Sequence, residues 1–327
     1  MSGHSHHGHS HGHSHGHGRL GMGESSKITR RITLIASGVA ALLIAIKAVA
    51  WAMSGSVAVL ASLVDSTLDL AASLIAAFAV RYAAKAPDDE HRFGHGKAEA
   101  FASLIQAGLV FASAALVGRE AVDRMIDPHP VTSEGVALVV MAVSTVLTAA
   151  LIAAQSRAVR QTGSVAVAGD RAHYAADMAS NLVAFVGIAV AAVSGLFWVD
   201  AVAGLVVAAW LVWGAISVFR GASSQLMDSE LSDEARAEIV GLAVADGRIE
   251  GVHGLRTRAS GPTIHIQLHA DLDPAMSLYD AHEAILAAEA RILEAFPAAD
   301  IIIHPDPRGR AEPHGGAFAE TGHEAAR

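Results

Sequence analysis

The sequence predicts an all-α polytopic membrane domain of six transmembrane helices, followed by a small α+β domain with the element order αββαβ. Of the 327 residues, 52% are hydrophobic and 17% are charged, whereas a soluble domain carries about 25% charged residues. Six apolar segments are each close to the ~20 residues that a membrane-spanning helix needs. Beyond residue 219, the pattern changes to that of short strands and amphipathic helices.

The N-terminal residues form a histidine-rich segment. Histidine alternates with glycine and serine from His4 to His17, and no apolar residue lies between them. This composition predicts a disordered cytoplasmic tail over residues 1–29 that collects metal ions. A purification tag is the alternative interpretation. We expect no signal peptide, because this segment lacks an apolar core.

The six predicted transmembrane helices lie within residues 30–221. They cover residues 32–51, 57–82, 98–117, 136–154, 172–193 and 199–219. The connections between them are short, except for a longer basic connection predicted over residues 155–171. Frequent glycine and alanine favour close contacts between these helices.

Basic residues predict the orientation of the membrane domain. One side has a clear excess of them: Lys27, Arg30, Arg31, Arg81, Lys85, Arg92, Lys97, Arg157, Arg160, Arg171 and Arg220. The opposite side has only Arg119 and Arg124. Because basic loops stay inside, we expect both termini to be cytoplasmic in a multi-pass protein of the inner (plasma) membrane. Lys47 lies late in the first helix, and we expect its ammonium to extend outward to the membrane surface rather than to pair with a carboxylate.

The second domain is predicted over residues 222–307, with a disordered tail over residues 308–327. Ser232 is a suitable N-cap for its first helix. Two strands over 252–260 and 263–270, a helix over 278–296 and a strand over 301–303 follow. His265 and His269 share one strand face, because they are an even number of residues apart.

Two polar pairs inside apolar segments are the strongest indication of function. Asp65 and Asp69 lie in the second segment, and His173 and Asp177 lie in the fifth. The i,i+4 spacing puts both members of each pair on one helix face. A carboxylate within a membrane costs roughly 2.5–3.5 kcal/mol on insertion scales. A divalent cation bound by all four side chains would offset that cost, whereas interhelical hydrogen bonds or a proton relay are the alternative.

Two further groups contain candidate metal ligands. Asp88, His91 and His95 lie in the loop after the second helix, although such a loop is often only solvated. The second domain contains five histidines and a nearby acidic residue: His253, His265, His269, His282, His304 and Asp306. So many histidines in a small domain favour metal binding.

Composition also limits the partners. The chain has no cysteine, so any metal site uses histidine and carboxylate, which suits Zn²⁺, Fe²⁺, Co²⁺, Cd²⁺ or Mn²⁺. The net charge of −9 argues against a nucleic-acid partner. We expect a lipid bilayer around the helices, divalent ions as substrates and no prosthetic group.

Over residues 30–307, the chain resembles the cation diffusion facilitator family of metal/proton antiporters, and in particular its bacterial ferrous-iron/zinc efflux branch. The segments that carry the resemblance are residues 60–69, 91–99, 173–177, 255–262 and 301–306. The chain departs from this pattern at Pro305, where relatives can carry a polar side chain.

The resemblance implies a homodimer whose cytoplasmic domains are metallochaperone-like. It implies a transport site of Asp65, Asp69, His173 and Asp177, and a loop site of Asp88, His91 and His95. It implies a two-metal cluster at the dimer interface, with the ligands His253, His269, His282, His304 and Asp306. It also implies a charge interlock between Lys97 and Asp228 near the membrane surface.

The expected function is therefore efflux of Zn²⁺ or Fe²⁺, or of Cd²⁺, Co²⁺ or Mn²⁺, driven by inward protons. A membrane metal sensor or scaffold that does not transport is one alternative. An intramembrane metalloenzyme is another, but it needs a water-activating metal and a general base. The sequence contains no His-Glu-x-x-His motif, so we expect that the protein is not an enzyme.

Overall fold

A computed structural model describes residues 20–54, 57–126, 135–194 and 197–310. The histidine-rich residues 1–19 and the C-terminal residues 311–327 lie outside these ranges. The predictions of disorder for those two segments therefore lie outside the described residues.

Six long helices form the first domain. They are α1 (Met22–Ser54), α2 (Val57–Ala83), α3 (Ala98–Ile126), α4 (Gly135–Thr162), α5 (Val165–Ser194) and α6 (Phe197–Leu226). Among the described residues, five of them, α1–α4 and α6, are long and apolar enough to span a membrane. Helix α5 carries Asp170, His173 and Asp177 in its first half. The domain is thus a multi-pass helical membrane domain, as the sequence predicted.

Small residues let these helices approach closely. Helix α6 packs along α3, where a Cβ added to Gly204 would lie 2.9 Å from the Cβ of Ala121. Gly118 faces Ala208 in the same helix pair, at 3.5 Å for an added Cβ. Helices in lipid associate through such close packing, because lipid leaves little hydrophobic driving force between them.

The long connection predicted over residues 155–171 is wrong. Helix α4 continues to Thr162 and α5 begins at Val165. Gly163 leaves the first helix with a φ of 67°, and the hydroxyl of Ser164 accepts a bond from the Val167 amide at 3.3 Å. The apolar segments marked the membrane region, and the helices continue beyond it as polar, basic turns. Helix α1 likewise begins at Met22, inside the segment expected to be a disordered tail.

The second domain has the predicted order αββαβ. Its elements are α7 (Asp233–Val244), β1 (Gly251–Ser260), β2 (Thr263–Leu272), α8 (Leu278–Ala295) and β3 (Ala299–Pro307). Strand β2 is central, antiparallel to β1 and parallel to β3. Ser232 and Ser277 are the N-caps of the two helices.

The central strand divides the sheet into an apolar face and a polar face. Ile264, Ile266 and Leu268 are buried against α7 and α8. Because side chains alternate along a strand, His269 and Asp271 point to the opposite face. The sheet therefore presents its polar residues on the face that the two helices leave open.

Two glycines bring the α2–α3 loop into backbone contact with the turn between β1 and β2. A Cβ added to Gly96 would overlap the backbone carbonyl oxygen of Ser260. Gly261, with a φ of 57°, would place a Cβ 2.8 Å from the carbonyl oxygen of Gly96. Next to this contact, the ring of Phe93 packs edge-on against His265, with centroids 5.9 Å apart. Only glycine fits at either position.

We expect Gly96→Ala to separate the loop from the turn, at a cost of about 1–3 kcal/mol, because the added methyl group meets backbone that cannot rotate away. Gly108→Ala in α3 is the matched control, since nothing lies within 4 Å of its added Cβ. Hydrogen exchange should show faster exchange at Thr263 in the first variant only. Equal protection in both variants would contradict the contact.

Candidate metal sites

The first site lies between α2 and α5. The Nε2 of His173 lies 3.2 Å from an oxygen of Asp69 and 3.6 Å from an oxygen of Asp177. One ligand atom from each of these residues lies within 4.8 Å of the others. The Nδ1 of His173 and the Oδ2 of Asp177 are buried and have no hydrogen-bond partner in the described structure. A buried acceptor without a donor is the kind of atom that a bound cation would satisfy.

Asp65 lies one helical turn before Asp69 and is exposed. It is close enough to interact electrostatically with Lys47, Asp69 and His173. It is not among the three residues whose ligand atoms lie together. The structure thus brings three of the four expected ligands together and leaves the fourth at the open side of the site.

A buried polar network lies one turn from His173, on the side nearer the second domain. One carboxylate oxygen of Asp170 accepts a hydrogen bond from Ser73 at 3.0 Å, and the other accepts from Gln155 at 2.6 Å. The amide of Gln106 approaches the same carboxylate at 3.5 Å, and Tyr174 contacts Ser73 at 2.9 Å. This network joins α2, α3, α4 and α5. Sequence reasoning missed Asp170, because it placed this residue in the predicted connection over residues 155–171 rather than in the fifth helix.

The expectation that Lys47 extends outward is wrong. Only 7% of the residue is exposed. Its Nζ donates to the Ser66 hydroxyl at 2.6 Å and to the Ser62 carbonyl at 3.1 Å. Helix α1 packs along α2. The ammonium of Lys47 therefore lies between the two helices, next to the turns of α2 that carry Asp65 and Asp69.

The second site is the α2–α3 loop. Asp88 lies 3.4 Å from the Nδ1 of His91 and 3.3 Å from the Nε2 of His95. Asp88 and His91 are exposed, whereas His95 is buried edge-on against Tyr82. The backbone amide of His91, followed by that of Glu90, lowers the pKa of the Asp88 carboxyl. All three expected loop residues are therefore together and offer one ligand atom each within 4.8 Å.

The third site is on the polar face of the sheet. Asp306 lies 2.8 Å from the Nδ1 of His269, 3.2 Å from the Nε2 of His253 and 3.4 Å from the Nε2 of His304. The ring of His269 lies 5.1 Å from that of His253 and 4.9 Å from that of His304. One atom each from His253, His269 and Asp306 forms a possible ligand group.

Strand register explains this cluster. His253, His269 and His304 are directly opposite one another across the three strands. A bulge lies between His253 and Arg256, where Gly254 has a φ of 58°. The extra residue shifts the alternation of β1, so that His253 faces the same side as His269. Two residues further along the same face, Asp271 of β2 lies opposite Asp306 of β3.

Two histidines do not join the cluster, and one carboxylate was missed. His282 is exposed on α8, which packs against the other face of the sheet. His265 pairs with Asp300 at 3.0 Å and faces Phe93. Asp271 lies 3.5 Å from the Nδ1 of His253. Its position two residues after His269 was the signal for it.

Two protein-family models match most of the chain. The family model of the cation efflux transmembrane domain matches residues 33–227. The model of the cation efflux protein cytoplasmic domain matches residues 231–308. The chain belongs to the cation diffusion facilitator family.

Three bacterial relatives of this family are each named cation-efflux pump FieF. Those of Shigella flexneri and Escherichia coli strain K12 are 37% identical to the chain over 286 residues. That of Cronobacter sakazakii is 39% identical over 281 residues. Each comparison covers 86% of this chain and 93% of the relative.

The two residues expected to form a charge interlock in this cation diffusion facilitator lie together. The Nζ of Lys97 lies 3.0 Å from Asp228, and Arg258 lies 3.2 Å from the same carboxylate. Partial burial of Asp228 raises its pKa, but the hydrogen bond and charge of Lys97, with those of Arg258, outweigh this effect and lower the pKa overall. The pair connects the start of α3 to the segment after α6, beside the Gly96 contact.

We expect Asp306→Asn to weaken Zn²⁺ binding at the sheet cluster by about tenfold or more, because it removes the charge that three histidines share. Asp300→Asn is the matched control, since Asp300 pairs with His265 outside the cluster. Calorimetric titration of the purified full-length protein should show the loss only for Asp306→Asn. Equal affinities in the two variants would remove Asp306 from the ligands.

Proposed function

We propose that this protein exports divalent metal cations across the inner membrane in exchange for protons. The observation that carries the proposal is the buried group of Asp69, His173 and Asp177 between two helices of the membrane domain. Relatives whose name is cation-efflux pump support the direction of transport. The protein then acts as a transporter, and the ion is its substrate rather than a cofactor.

Zn²⁺ and Fe²⁺ suit the proposed transport site best, and Cd²⁺, Co²⁺ or Mn²⁺ are further candidates. One imidazole nitrogen with carboxylate oxygens is a usual ligand set for zinc. Asp65 supplies the fourth ligand when α2 moves its first turns toward α5. Asp65 lies one helical turn before Asp69, on the same helix face.

The contact between His173 and Asp69 supports the proposed proton exchange. The Nε2 of His173 and the Oδ1 of Asp69 lie 3.2 Å apart, a distance at which the two atoms can share a proton when no ion is bound. A metal ion needs the lone pairs of those same atoms and must displace that proton. Exchange of one M²⁺ for one H⁺ moves a net positive charge outward, against about 2.3 kcal/mol for each 100 mV of potential. The proton gradient must therefore supply that energy.

The protein acts as a homodimer with cytoplasmic termini in this proposal. The sheet cluster is on the open face, whereas His282 is on a helix that covers the other face. One chain therefore cannot bring His282 to this cluster. A second copy of the chain would have to supply it to the ligands His253, His269, His304 and Asp306. The α2–α3 loop site lies on the same side of the membrane and takes up a further ion.

We expect Asp69→Asn and Asp177→Asn each to reduce Zn²⁺ flux by about 100-fold or more, because each removes a charged ligand from a site with few ligands. Asp123→Asn is the control, since this exposed carboxylate of α3 pairs with Arg119 at the helix surface. Flux should be measured in proteoliposomes with an imposed pH gradient. Flux near wild type in the first two variants would contradict the site, and flux without proton movement would contradict antiport.

We expect His173→Asp to lower the ratio of Zn²⁺ flux to Mn²⁺ flux. Nitrogen ligands favour Zn²⁺, whereas an all-oxygen site suits Mn²⁺ better. His265→Asp is the control, because this histidine is outside every metal group described above. Uptake of both ions into inverted vesicles gives the ratio. An unchanged ratio would show that His173 does not contact the ion.

A further inference from the structure

Lys47 is a buried positive charge beside the proposed transport site. It crosses from α1 to α2 and bonds to Ser62 and Ser66. Ser66 directly follows Asp65 and precedes Asp69 by three residues. The ammonium is therefore fixed against the same turns of α2 that carry the two carboxylates.

The two hydrogen bonds do not account for the charge. A serine hydroxyl and a backbone carbonyl satisfy donors, but they do not neutralise an ammonium in an apolar surrounding. The nearest negative charges along α2 are those of Asp65 and Asp69, which lie on the same turns as Ser62 and Ser66, and opposite charges so placed attract each other. Lys47 and a metal ion would thus be attracted by the same carboxylates.

We propose that Lys47 is a resident counter-charge that weakens metal binding at the transport site and thereby speeds release of the ion. This inference rests on the proposed function of that site. A lysine ammonium has no lone pair and cannot ligate a metal, so Lys47 acts through its charge. In the empty site it offsets the carboxylates, and in the loaded site it repels the ion. A transport site must bind its ion weakly enough to let it leave.

Two kinds of variant separate the charge from the hydrogen bond. Lys47→Met removes the charge and keeps the length of the side chain, and Lys47→Gln is a second neutral variant that retains a donor. Ser66→Ala removes the shorter of the two hydrogen bonds and keeps the charge. If Lys47 only fastens α1 to α2, then Ser66→Ala and Lys47→Met should change metal binding alike.

The experiment is equilibrium binding of radioactive Zn²⁺ to the full-length protein in detergent. Each variant is compared with the same variant carrying Asp69→Ala, so that the difference reports the transport site alone. We expect the two neutral variants to bind Zn²⁺ on the order of tenfold more tightly than wild type, as one nearby unit charge allows. Their turnover at saturating Zn²⁺ should fall, and Ser66→Ala should leave the affinity within about twofold.

Three results would overturn the proposal. Neutral variants that bind Zn²⁺ no more tightly than wild type would show that the charge of Lys47 does not oppose the ion. A gain in affinity shared by Ser66→Ala would assign the effect to helix packing. If Asp69→Ala changes nothing in the wild-type background, the transport-site assignment itself fails, which the first two results would not imply.

Discussion

Compensation of charge between apolar helices is the constraint on which the membrane domain depends. Three of the buried carboxylate and ammonium groups described there, Asp69, Asp170 and Lys47, have a partner on another helix. Asp69 of α2 meets His173 of α5, and Asp170 accepts bonds from α2 and α4. Lys47 of α1 bonds to α2. Because an unpaired charge in lipid is costly, these pairs select which helices are neighbours and fix their axial alignment.

A second set of contacts joins the membrane domain to the sheet. Three consecutive residues of the α2–α3 loop, His95 to Lys97, anchor the loop and contact the chain beyond α6. His95 packs against Tyr82 and Asp88, Gly96 touches the β1–β2 turn, and Lys97 pairs with Asp228. Phe93 lies over His265 at the same junction. An ion at the loop site would therefore act on a backbone segment that already touches the second domain.

Much of this architecture followed from periodicity and composition. The six helices, the αββαβ order and the i,i+4 pairs could be predicted, because each depends on local spacing alone. The inward direction of Lys47 could not, since it depends on which helix packs against α1. The alignment of His253 with His269 and His304 could not be predicted from periodicity either, because a bulge at Gly254 shifts the alternation of side chains along β1. Asp271 and Asp170 join their clusters through strand register and helix packing, which single segments do not encode.

The three metal groups share one chemical arrangement and differ in their surroundings. Each contains a histidine nitrogen at 2.8–3.3 Å from a carboxylate oxygen, in the pairs His173–Asp69, His95–Asp88 and His269–Asp306. Both atoms of such a pair can bind either a proton or a metal ion, so a proton competes with the metal at each group. The loop and sheet groups can exchange that proton with nearby water. The group between α2 and α5 is enclosed by apolar helices, with Asp65 at its open side. There the same competition takes place between membrane helices, which is the arrangement that the proposed exchange across the membrane requires.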